Sequence, residues 1–473
     1  MRQRRRCGPA AAPAVLAELL SAALVDGGSI TLSESELDRH GTDFSVHRPH
    51  RPDVVVFAAS AREVARVVVL AAELHLPVVA FGAGTSLEGH VIPIHGGISL
   101  DLSGLDRIVA LRPNDLTATV QAGVTRQQLD VAARAHGLQF PVDPGADATL
   151  GGMAATNASG TTTVRYGGMR CNVLALEVVL ADGGTVRTGT RASKSSAGYD
   201  LTGLLVGSEG TLGVITELTV RLYPVDEAGA AIRAVFPDVD AACATAVSLV
   251  AGGVSLTRAE LLDAWNVAAV NRYSDAGLIE APTLLVEVTG PAATVEADLD
   301  AVVEVAREHG VLDLSVERTE AARRRLWAVR HDAAFAVMAT APGKQPRSTD
   351  VCVPISELPA AIAHARAAID ELGLAAGIAG HVGDGNFHVV FMVDANDDAE
   401  LERLRRLDEI VVSDALARGG TCTGEHGIGL GKRAHLAREH GDLVPLYRGL
   451  KQLFDPLGIL NPGKVLPDVQ RPA

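Results

Sequence analysis

The chain has 473 residues and a net charge of −15, and 47% of its residues are apolar. The charge argues against nucleic acid as a partner, because binding to phosphates needs a basic surface. The length is typical of roughly two to four domains. Aromatic residues make up only 3% of the chain, so Ala, Val and Leu must do most of the packing.

The five cysteines are scattered and never form a CxxC pair, so the sequence encodes neither a zinc knot nor an iron–sulfur cluster. A sparse, odd count suits the reducing cytoplasm. No run of eighteen apolar residues is present, which argues against a transmembrane segment. The cysteines are Cys7, Cys171, Cys243, Cys352 and Cys422.

The first residues allow two interpretations. Arg2 to Arg6 followed by Ala10 to Leu24 resembles a signal peptide, but prolines and Glu18 interrupt the apolar run. Pro13 is suited to the first position of a helix, and the pattern after it favours a first helix.

Residues 27–52 are polar and lack periodicity. Val54–Phe57 is then predicted as a buried strand, residues 61–76 as an amphipathic helix, and residues 77–81 as the next strand. This strand–helix–strand unit leads directly into the glycine loop of residues 82–90.

That loop, Gly82-Ala-Gly-Thr-Ser-Leu-Glu-Gly-His90, indicates phosphate binding, since backbone N–H groups without side chains around them can approach phosphate oxygens closely. It is not a dinucleotide fingerprint, because Leu87 stands where the last glycine belongs and a loop with Pro93 follows. It also lacks the Gly-Lys-Ser/Thr of a Walker loop. A plain surface loop is the alternative for this stretch alone.

Two further segments rich in small residues follow, at residues 144–160 and 207–216. Such runs make poor core elements, but a flat ring or a diphosphate can lie against them. Three segments of this kind, separated by strand and helix patterns, predict one extended nucleotide cofactor.

After Tyr223-Pro224 the pattern changes to alternating strands and helices over residues 230–316 and 350–393. Ser356 is the predicted N-cap of a helix that stops at Gly373. We predict an α+β cap domain with an antiparallel sheet, then a short helix over residues 446–454.

His381 and His388 bracket Gly-Asp-Gly-Asn, which is a strong turn signal. An odd separation on one strand would place the two rings on opposite faces, whereas a turn lets both point at one spot. Glu425 and His426 follow among glycines. Two histidines and one glutamate form a ligand set for a divalent metal with open positions. A coincidental pair of histidines is the alternative.

Taken together, these six motifs resemble the FAD-linked D-2-hydroxyacid dehydrogenases, the D-lactate dehydrogenase and glycolate oxidase D-subunit group with the vanillyl-alcohol-oxidase fold. The resemblance covers nearly the whole chain in motif order, and it is strongest to the cytochrome-type D-lactate dehydrogenases. The motifs are residues 82–89, 145–160, 207–213, 380–388, 424–429 and 461–464.

The resemblance implies an α+β fold: a PCMH-type FAD-binding domain over residues 1–224, a cap domain over 225–440 and a C-terminal segment, 441–473, that returns to the FAD domain. It implies that His381, His388 and Glu425 bind Zn or Mn, that His426 is the base, and that Arg330 binds the substrate carboxylate. The implied FAD-binding residues are Gly82, Ala83, Gly84, Thr85, Ser86, Gly89, His90, Pro144, Gly145, Gly152, Asn157, Ser159, Gly160, Glu209, Gly210, Gly213, Ile215 and Asn461.

The predicted reaction is oxidation of a small D-2-hydroxy acid, D-lactate first, with electrons passed to an external cytochrome, quinone or electron-transfer flavoprotein. Arginine suits a carboxylate, a metal lowers the pKa of a hydroxyl, and histidine accepts its proton. Relatives that act on diacids carry Lys and Asn where Ser348 and Val390 stand, which weakens a 2-hydroxyglutarate assignment. We expect the FAD to be bound non-covalently. We expect the protein to be cytoplasmic, with peripheral contact to the inner face of the membrane as an alternative, and a homodimer is a possible assembly.

Several alternatives remain open. His90 is an alternative covalent flavin anchor, Arg330 an alternative surface ion pair, and His426 an alternative fourth ligand or packing residue. Glycolate is an alternative substrate. A flavin-free metal-dependent hydrolase and a flavin oxidase of an alcohol or aldonolactone are alternative functions.

Overall fold

The structure, a computed structural model, describes residues 13–394 and 396–468. The chain divides into two compact units. Unit 1 contains the described residues up to Ala158, Gly168–Pro224 and the described residues from His426 onward. Unit 2 contains Ser159–Gly167 and Val225–Glu425. Residues 159–167 thus belong to unit 2 and residues 426–440 to unit 1. The domain bounds that the resemblance implied, 1–224, 225–440 and 441–473, stay a prediction.

The chain up to residue 224 alternates short helices and strands. The helices are α1 Pro13–Ser21, α2 Glu34–Arg39, α3 Ala61–Leu74, α4 Arg126–Arg134, α5 Leu150–Thr156, α6 Thr163–Tyr166, α7 Met169–Asn172 and α8 Leu201–Leu205, with a 3-10 turn at Pro113–Asp115. The strands are β1 Ser29–Thr31, β2 Val54–Phe57, β3 Val78–Phe81, β4 Ile98–Asp101, β5 Ile108–Arg112, β6 Thr117–Gln121, β7 Leu138–Gln139, β8 Val173–Val179, β9 Thr185–Gly189, β10 Val214–Arg221 and β11 Tyr223–Pro224.

Unit 1 contains two larger sheets. The first has the order β1-β2-β4-β3, with β2 and β3 both parallel to β4, and the second is the antiparallel β5-β6-β10-β8-β9. Helix α3 begins where the Ser60 hydroxyl accepts the N–H of Glu63, and it buries Val64, Val67, Val68 and Ala71 against the first sheet's core. The N-cap and the helical spacing of the apolar residues are local features, and they explain why α3 was predicted from the sequence.

The remaining elements lie beyond residue 224. The strands are β12 Ala228–Val235, β13 Leu256–Leu262, β14 Thr283–Gly290, β15 Asp313–Glu317, β16 Gln345–Ser348, β17 Val351–Cys352, β18 Ala376–Gly380 and β19 Asn386–Val393. The helices are α9 Val239–Ala251, α10 Ala264–Ser274, α11 Ala292–Glu308, α12 Glu320–Thr340, α13 Leu358–Glu371, α14 Asp398–Ala417, α15 Arg433–Glu439 and α16 Val444–Phe454, with 3-10 turns at Ile355–Glu357 and Gly441–Leu443.

Unit 2 is built on one antiparallel sheet with the order β15-β12-β14-β13-β18-β19-β16, and β17 pairs with β19. Its helices α9–α14 connect or flank these strands, so the expected α+β class with an antiparallel cap sheet is confirmed. Strand β13 pairs with β18 through Leu261↔Gly380, and β18 pairs with β19 through Ala379↔His388. This strand order brings together residues far apart in the chain.

The predicted reversal between the two histidines is present. Strand β18 ends at Gly380 and β19 begins at Asn386, with a turn between them. Gly385 has a φ of +86°, and a Cβ there would clash with the carbonyl oxygen of Val353. Only glycine meets both conditions, which explains the residue type at this position.

The C-terminal segment joins the first sheet of unit 1. The N–H of Val78 donates to Ile459 O, and the N–H of Asn461 donates to Val78 O, both at 2.8 Å. Leu460 thus forms a parallel bridge beside β3, directly before the first glycine loop.

Three local features differ from the sequence prediction. Residues 27–52 contain β1 and α2, which are too short for a clear period. Residues 144–160 contain the helix α5, because Thr149 caps it and Gly151 packs against Ala122 where a side chain would not fit. Helix α13 begins at Leu358 after a 3-10 turn, so Ser356 is not its N-cap, although Gly373 does follow its end with φ +62°.

Helix α1 begins at Pro13 as expected, whereas Arg2 to Arg6 and Cys7 lie outside the described residues. Within the part of the chain that the structure describes, the other four cysteines form no disulfide. None of the helices in residues 13–394 and 396–468 is long and apolar enough to cross a membrane.

Candidate metal centre and cofactor cradle

The side chains of His381, His388 and Glu425 meet inside unit 2. The Nε2 atoms of both histidines lie 3.3 Å from Oε1 of Glu425. One ligand atom from each of the three residues falls within 4.8 Å of the other two. Both histidines are buried, and the two rings are nearly perpendicular, with centroids 5.6 Å apart. The hairpin of β18 and β19 supplies both rings.

The other nitrogen of each ring is held by an acceptor. Nδ1 of His381 lies 2.6 Å from Oε1 of Glu260, and Nδ1 of His388 lies 3.0 Å from the carbonyl oxygen of Thr349. A carboxylate and a carbonyl can only accept, so both Nδ1 atoms donate. In the neutral rings Nε2 then carries the lone pair and faces Glu425, which is the tautomer required of a metal ligand.

Glu425 is itself fixed by hydrogen bonds. Its backbone N–H donates to Oδ2 of Asp350 at 3.1 Å, and the Ser159 hydroxyl donates to its Oε2, also at 3.1 Å. Asp350 in turn accepts from Asn386 Nδ2 at 2.8 Å and Thr423 Oγ1 at 2.7 Å. The ligand carboxylate therefore has few alternative positions.

The charges of this group are strongly coupled. Burial lowers the pKa of His381, but the carboxylates of Glu260 and Glu425 outweigh burial and hold that pKa well above its ordinary value. Burial raises the pKa of Glu425, but His381 and His388 bring it well below its ordinary value. Without an ion, a proton on Nε2 of His381 faces the Glu425 carboxylate, and a metal cation would take the place of that proton between the same atoms. Three N/O donors of this kind fit Zn or Mn.

Arg330 lies on α12 close to this group. Its Nε donates to Oε2 of Glu260 at 2.8 Å, and its side chain is 19% exposed. Among the described residues, no hydrogen bond engages its Nη1 or Nη2. The alternative of a plain surface ion pair does not describe it, since Glu260 is 0% exposed.

The three glycine segments, the second of them up to Ala158, meet inside unit 1. A Cβ on Gly82 would clash with Oγ1 of Thr149, which caps α5 in the second segment. The N–H groups of Gly207 and Glu209 donate to Ala154 O and Ala155 O at 2.9 and 2.8 Å. The three segments, separated in the chain, thus form one continuous cradle.

Part of the first loop has backbone donors without acceptors. In the portion of the chain that the structure describes, no hydrogen bond engages the N–H groups of Ala83, Gly84 and Thr85. Gly84 has φ +69°, and a Cβ there would press on the ring of Phe81. Successive unpartnered N–H groups on a positive-φ turn are suited to an anion such as a pyrophosphate. The cradle therefore fits FAD.

Glu209 braces this cradle through its side chain. Its carboxylate accepts the N–H groups of Ile428 and Gly429 at 2.7 and 2.8 Å and lies 3.3 Å from Nε2 of His90. Burial raises the pKa of Glu209, but His90 and these N–H groups bring it below its ordinary value. The acceptor oxygens of Glu209 are thus engaged by the protein, and the His90 ring faces Glu209.

Asn461 and Lys464 complete this brace. Nδ2 of Asn461 donates to His90 O and Glu209 O at 3.1 and 2.8 Å. Nζ of Lys464 donates to His90 O at 3.2 Å, Ile92 O at 2.6 Å and Asn461 Oδ1 at 3.2 Å. Burial lowers the pKa of Lys464 to about 8. Asn461 therefore positions the loop end through its side chain.

The other predicted cofactor residues are divided between the two units. Ser159 and Gly160 lie in unit 2, where Ser159 contacts Glu425 and Gly160 N–H donates to Thr163 Oγ1. Gly213 packs against Val178. The remaining members lie in or beside the cradle segments: Ser86, Gly89, Pro144, Gly145, Gly152, Asn157, Gly210 and Ile215.

His426 begins the last part of unit 1. Its Nδ1 lies 3.9 Å from Oε1 of Glu88 in the same unit. Its predicted role as a base stays a prediction.

Sequence reasoning missed Glu260, Thr349, Asp350 and Lys464. Glu260 is separated from His381 by 121 residues, and no local motif marks it. Lys464 was part of the Asn-Pro-Gly-Lys motif, and its burial could not be inferred from one position. Tertiary contacts place these residues at the candidate sites: strand pairing for Glu260, and side-chain hydrogen bonds for Lys464.

The chain is similar to two protein families over most of its length. Residues 52–189 match the family described as FAD binding domain, and residues 225–465 match FAD linked oxidases, C-terminal domain. These matches support the FAD assignment that the cradle geometry suggests.

Curated relatives extend this similarity. A probable mitochondrial D-lactate dehydrogenase of Danio rerio is 46% identical, covering 92% of this chain and 89% of that protein. A mitochondrial D-lactate dehydrogenase [cytochrome] of Arabidopsis thaliana is 40% identical, covering 88% and 74%. A glycolate oxidase subunit of Bacillus subtilis is 34% identical, covering 88% and 89%.

Solved structures give the fold alone. p-Cresol methylhydroxylase superposes with a TM-score of 0.79 at 18% identity, covering 96% of each chain. The expected PCMH-type, vanillyl-alcohol-oxidase-like architecture is thereby confirmed.

Proposed function

Because the chain belongs to the FAD-linked oxidases, in the group of the D-lactate dehydrogenases and glycolate oxidase subunits, we propose that it oxidises D-lactate to the 2-oxo acid. The observation that carries this proposal is the cluster of His381, His388 and Glu425 with Arg330 beside it. A 2-hydroxy acid has one carboxylate and one adjacent hydroxyl, and this cluster provides one partner for each.

Arg330 is assigned to the substrate carboxylate. Its Nε is held by Glu260, which fixes the guanidinium plane and leaves Nη1 and Nη2 to bind a carboxylate. His381, His388 and Glu425 would hold the Zn or Mn ion, which when bound supplies a Lewis acid for the substrate hydroxyl. Their ring and carboxylate atoms keep fixed positions through Glu260, Thr349 and Asp350.

Oxidation removes a proton from the hydroxyl oxygen and a hydride from the carbon that bears it. We assign the proton to His426, an imidazole that follows the ligand Glu425 directly in the chain. The FAD held by the unit 1 cradle supplies the hydride acceptor when bound. Ala83, Gly84 and Thr85 would bind its pyrophosphate through backbone N–H groups. The flavin is proposed to be non-covalent, since the His90 ring faces Glu209.

Ser348 and Val390 support a small substrate side chain. They are direct partners in the pairing of β16 with β19, and neither carries a charge for a second carboxylate. Glycolate is the second candidate, because the Bacillus subtilis relative is named as a glycolate oxidase subunit. D-2-Hydroxyglutarate is disfavoured by the same two residues.

Electrons would leave to an external acceptor, as the name of the Arabidopsis thaliana relative, D-lactate dehydrogenase [cytochrome], implies for that protein. A cytochrome, a quinone and an electron-transfer flavoprotein all stay open. The predicted cytoplasmic location and the homodimer stay predictions, and several relatives are named as mitochondrial.

The test is anaerobic bleaching of the purified yellow protein. D-Lactate is expected to bleach the flavin absorbance, and L-lactate is not. If glycolate or D-2-hydroxyglutarate bleaches the flavin faster than D-lactate does, that acid becomes the assigned substrate. A protein that stays colourless after reconstitution with FAD would favour the metal-dependent hydrolase, and hydrogen peroxide formed under air would favour an oxidase.

A further inference from the structure

Glu260 is a buried carboxylate with two different partners. It lies on β13 with 0% of its side chain exposed. One oxygen, Oε1, accepts from Nδ1 of His381 at 2.6 Å, and the other, Oε2, accepts from Nε of Arg330 at 2.8 Å. The first partner is a candidate metal ligand and the second is the candidate substrate clamp.

The fold brings these three residues together from distant parts of the chain. The register Leu261↔Gly380 puts Glu260 beside the end of β18, where His381 begins the turn. Arg330 comes from α12, which packs on the same part of unit 2. The contacts therefore depend on tertiary structure, and a carboxylate buried here without both donors would be costly.

The two oxygens of Glu260 perform separate tasks. Oε1 determines which nitrogen of His381 carries the proton, so that Nε2 presents its lone pair. Oε2 holds one edge of the guanidinium group and thereby orients the terminal nitrogens. A single side chain thus controls both the ring that would bind the metal and the cation that would bind the substrate.

We propose that Glu260 is a positioning residue that couples metal affinity to substrate affinity in this enzyme. The proposal rests on the proposed function, because it needs a metal at His381 and a carboxylate at Arg330. Glu260 does not touch the metal or the substrate itself. Its loss is therefore expected to weaken both kinds of binding at once.

Glu260→Gln is the informative variant. An amide keeps the shape of the side chain but has only one acceptor oxygen, and its NH₂ group would face one of the two donors. Glu287→Gln is the matched control. Glu287 is also buried, at 6% exposure, and accepts from Arg258 and Arg323 at 3.1 and 2.9 Å without contacting His381 or Arg330.

The primary readout is the zinc dissociation constant, measured by competition with a chromophoric chelator. Glu260→Gln is expected to weaken zinc binding by about 10- to 100-fold, the usual effect of removing a partner that orients a ligand. Glu287→Gln is expected to leave it within about twofold. Flavin absorbance and thermal unfolding check that each variant is folded.

The second readout is the kinetics with D-lactate at saturating zinc. Glu260→Gln is expected to raise KM about tenfold or more, with a smaller fall in kcat, because the orientation of Arg330 is lost. Equal zinc affinity in wild type and Glu260→Gln would overturn the proposal, as would an equal loss in Glu287→Gln.

Failure of the proposed function gives a different result. Wild-type protein that binds no zinc or manganese, or whose flavin D-lactate does not bleach, would contradict the function before any variant is compared. If Glu260→Gln does not fold, Glu260→Asp provides the same test, since a carboxylate shorter by one methylene cannot reach both donors. Unchanged zinc affinity in a folded Glu260→Asp would equally overturn the proposal.

Discussion

At the scale of single residues, the surroundings of each histidine decide what its ring can do. His388 donates from Nδ1 to Thr349 O, which leaves Nε2 directed at Glu425. His364, also in unit 2, is instead half-exposed beside Asp414. His388 is therefore suited to bind a metal through Nε2, whereas His364 is not, because only His388 is buried and held by a backbone carbonyl.

This difference predicts the effect of His388→Asn. Loss of one of three ligands is expected to weaken zinc binding by about 100-fold or more, while flavin content is unchanged. Chelator competition measures the first and the visible spectrum the second. His364→Asn is the control and is expected to keep wild-type zinc affinity. Similar losses in both variants would mean that zinc binds elsewhere.

Arg330→Lys tests the proposed substrate clamp. Lysine keeps the charge but has no fork, so about 1.5–3 kcal/mol of charge-assisted hydrogen bonding is at risk. KM for D-lactate is expected to rise about 10- to 100-fold, with a smaller change in kcat. Arg324→Lys is the control, because Arg324 is exposed and pairs with Glu320. An unchanged KM in Arg330→Lys would show that Arg330 does not bind the substrate carboxylate and has only a structural role.

Lys464 predicts a pH dependence of stability. Burial lowers its pKa to about 8 in the folded chain, against 10.5 in a model peptide. Between these pH values the unfolded chain holds the proton and the folded chain has released it, so the free energy of unfolding rises with pH. Below about pH 8 both states are protonated, and the cost of the buried ammonium is fully present.

The measurement compares flavin-free wild type with Lys464→Met between pH 8 and 10.5. The difference in unfolding free energy is expected to shift in favour of wild type by up to about 3 kcal/mol, at about 1.4 kcal/mol for each pKa unit. Lys194→Met, at an exposed position, is expected to show no such shift. A pH-independent difference for Lys464→Met would contradict the buried, titrating ammonium.

At the scale of elements, strands and helices with a long local pattern were predicted from the sequence, whereas features that depend on tertiary contacts were not. Strand β2 was predicted with its observed bounds, and α3 differs only at its C-terminal end. Helix α5 was missed because Gly151 and Gly152 indicate a loop, whereas close packing against Ala122 requires a residue without a side chain. The reversal that brings His381 and His388 together was predicted, because a turn between two histidines is a local feature.

The β18–β19 turn gives a prediction about Gly385. Gly385→Ala introduces a left-handed strain of about 1–2 kcal/mol and a clash with Val353 O that adds about 1–3 kcal/mol. The hairpin then shifts, so zinc affinity is expected to fall together with the unfolding free energy.

Gly373→Ala is the control for this variant. Gly373 also has a positive φ, +62°, but a Cβ there would meet nothing within 4 Å. It is expected to lose about 1 kcal/mol of stability and to keep its zinc affinity. Equal effects of the two substitutions, measured by denaturant unfolding and chelator competition, would show that the clash at Gly385 is unimportant.

At the scale of the whole molecule, the division of the chain into units 1 and 2 cannot be predicted from local sequence patterns. Residues 159–167 belong to unit 2 because Arg165 donates to both oxygens of Asp226, to Thr257 and to Thr289 O. These partners lie 61 to 124 residues away in the chain. No periodicity near Arg165 indicates these partners, so the sequence around it does not show which unit the segment belongs to.

The same division predicts that flavin and metal can be removed independently. The proposed pyrophosphate donors Ala83, Gly84 and Thr85 lie in unit 1, and His381, His388 and Glu425 lie in unit 2. Dialysis against a chelator is expected to leave the yellow absorbance intact and to slow bleaching by D-lactate on the order of 100-fold, or about 3 kcal/mol. Added Zn or Mn is expected to restore the rate.

Gly84→Val provides the converse case. Valine at φ +69° would press its Cβ on the Phe81 ring and disturb the proposed pyrophosphate donors, so flavin is expected to be lost while zinc affinity stays near wild type. Absorbance and chelator competition on the same samples separate the two effects, and a chelator already loaded with zinc controls for non-specific damage. Loss of flavin upon chelation of wild type, or loss of zinc in a folded Gly84→Val, would contradict independent binding, because each group would then depend on residues that hold the other.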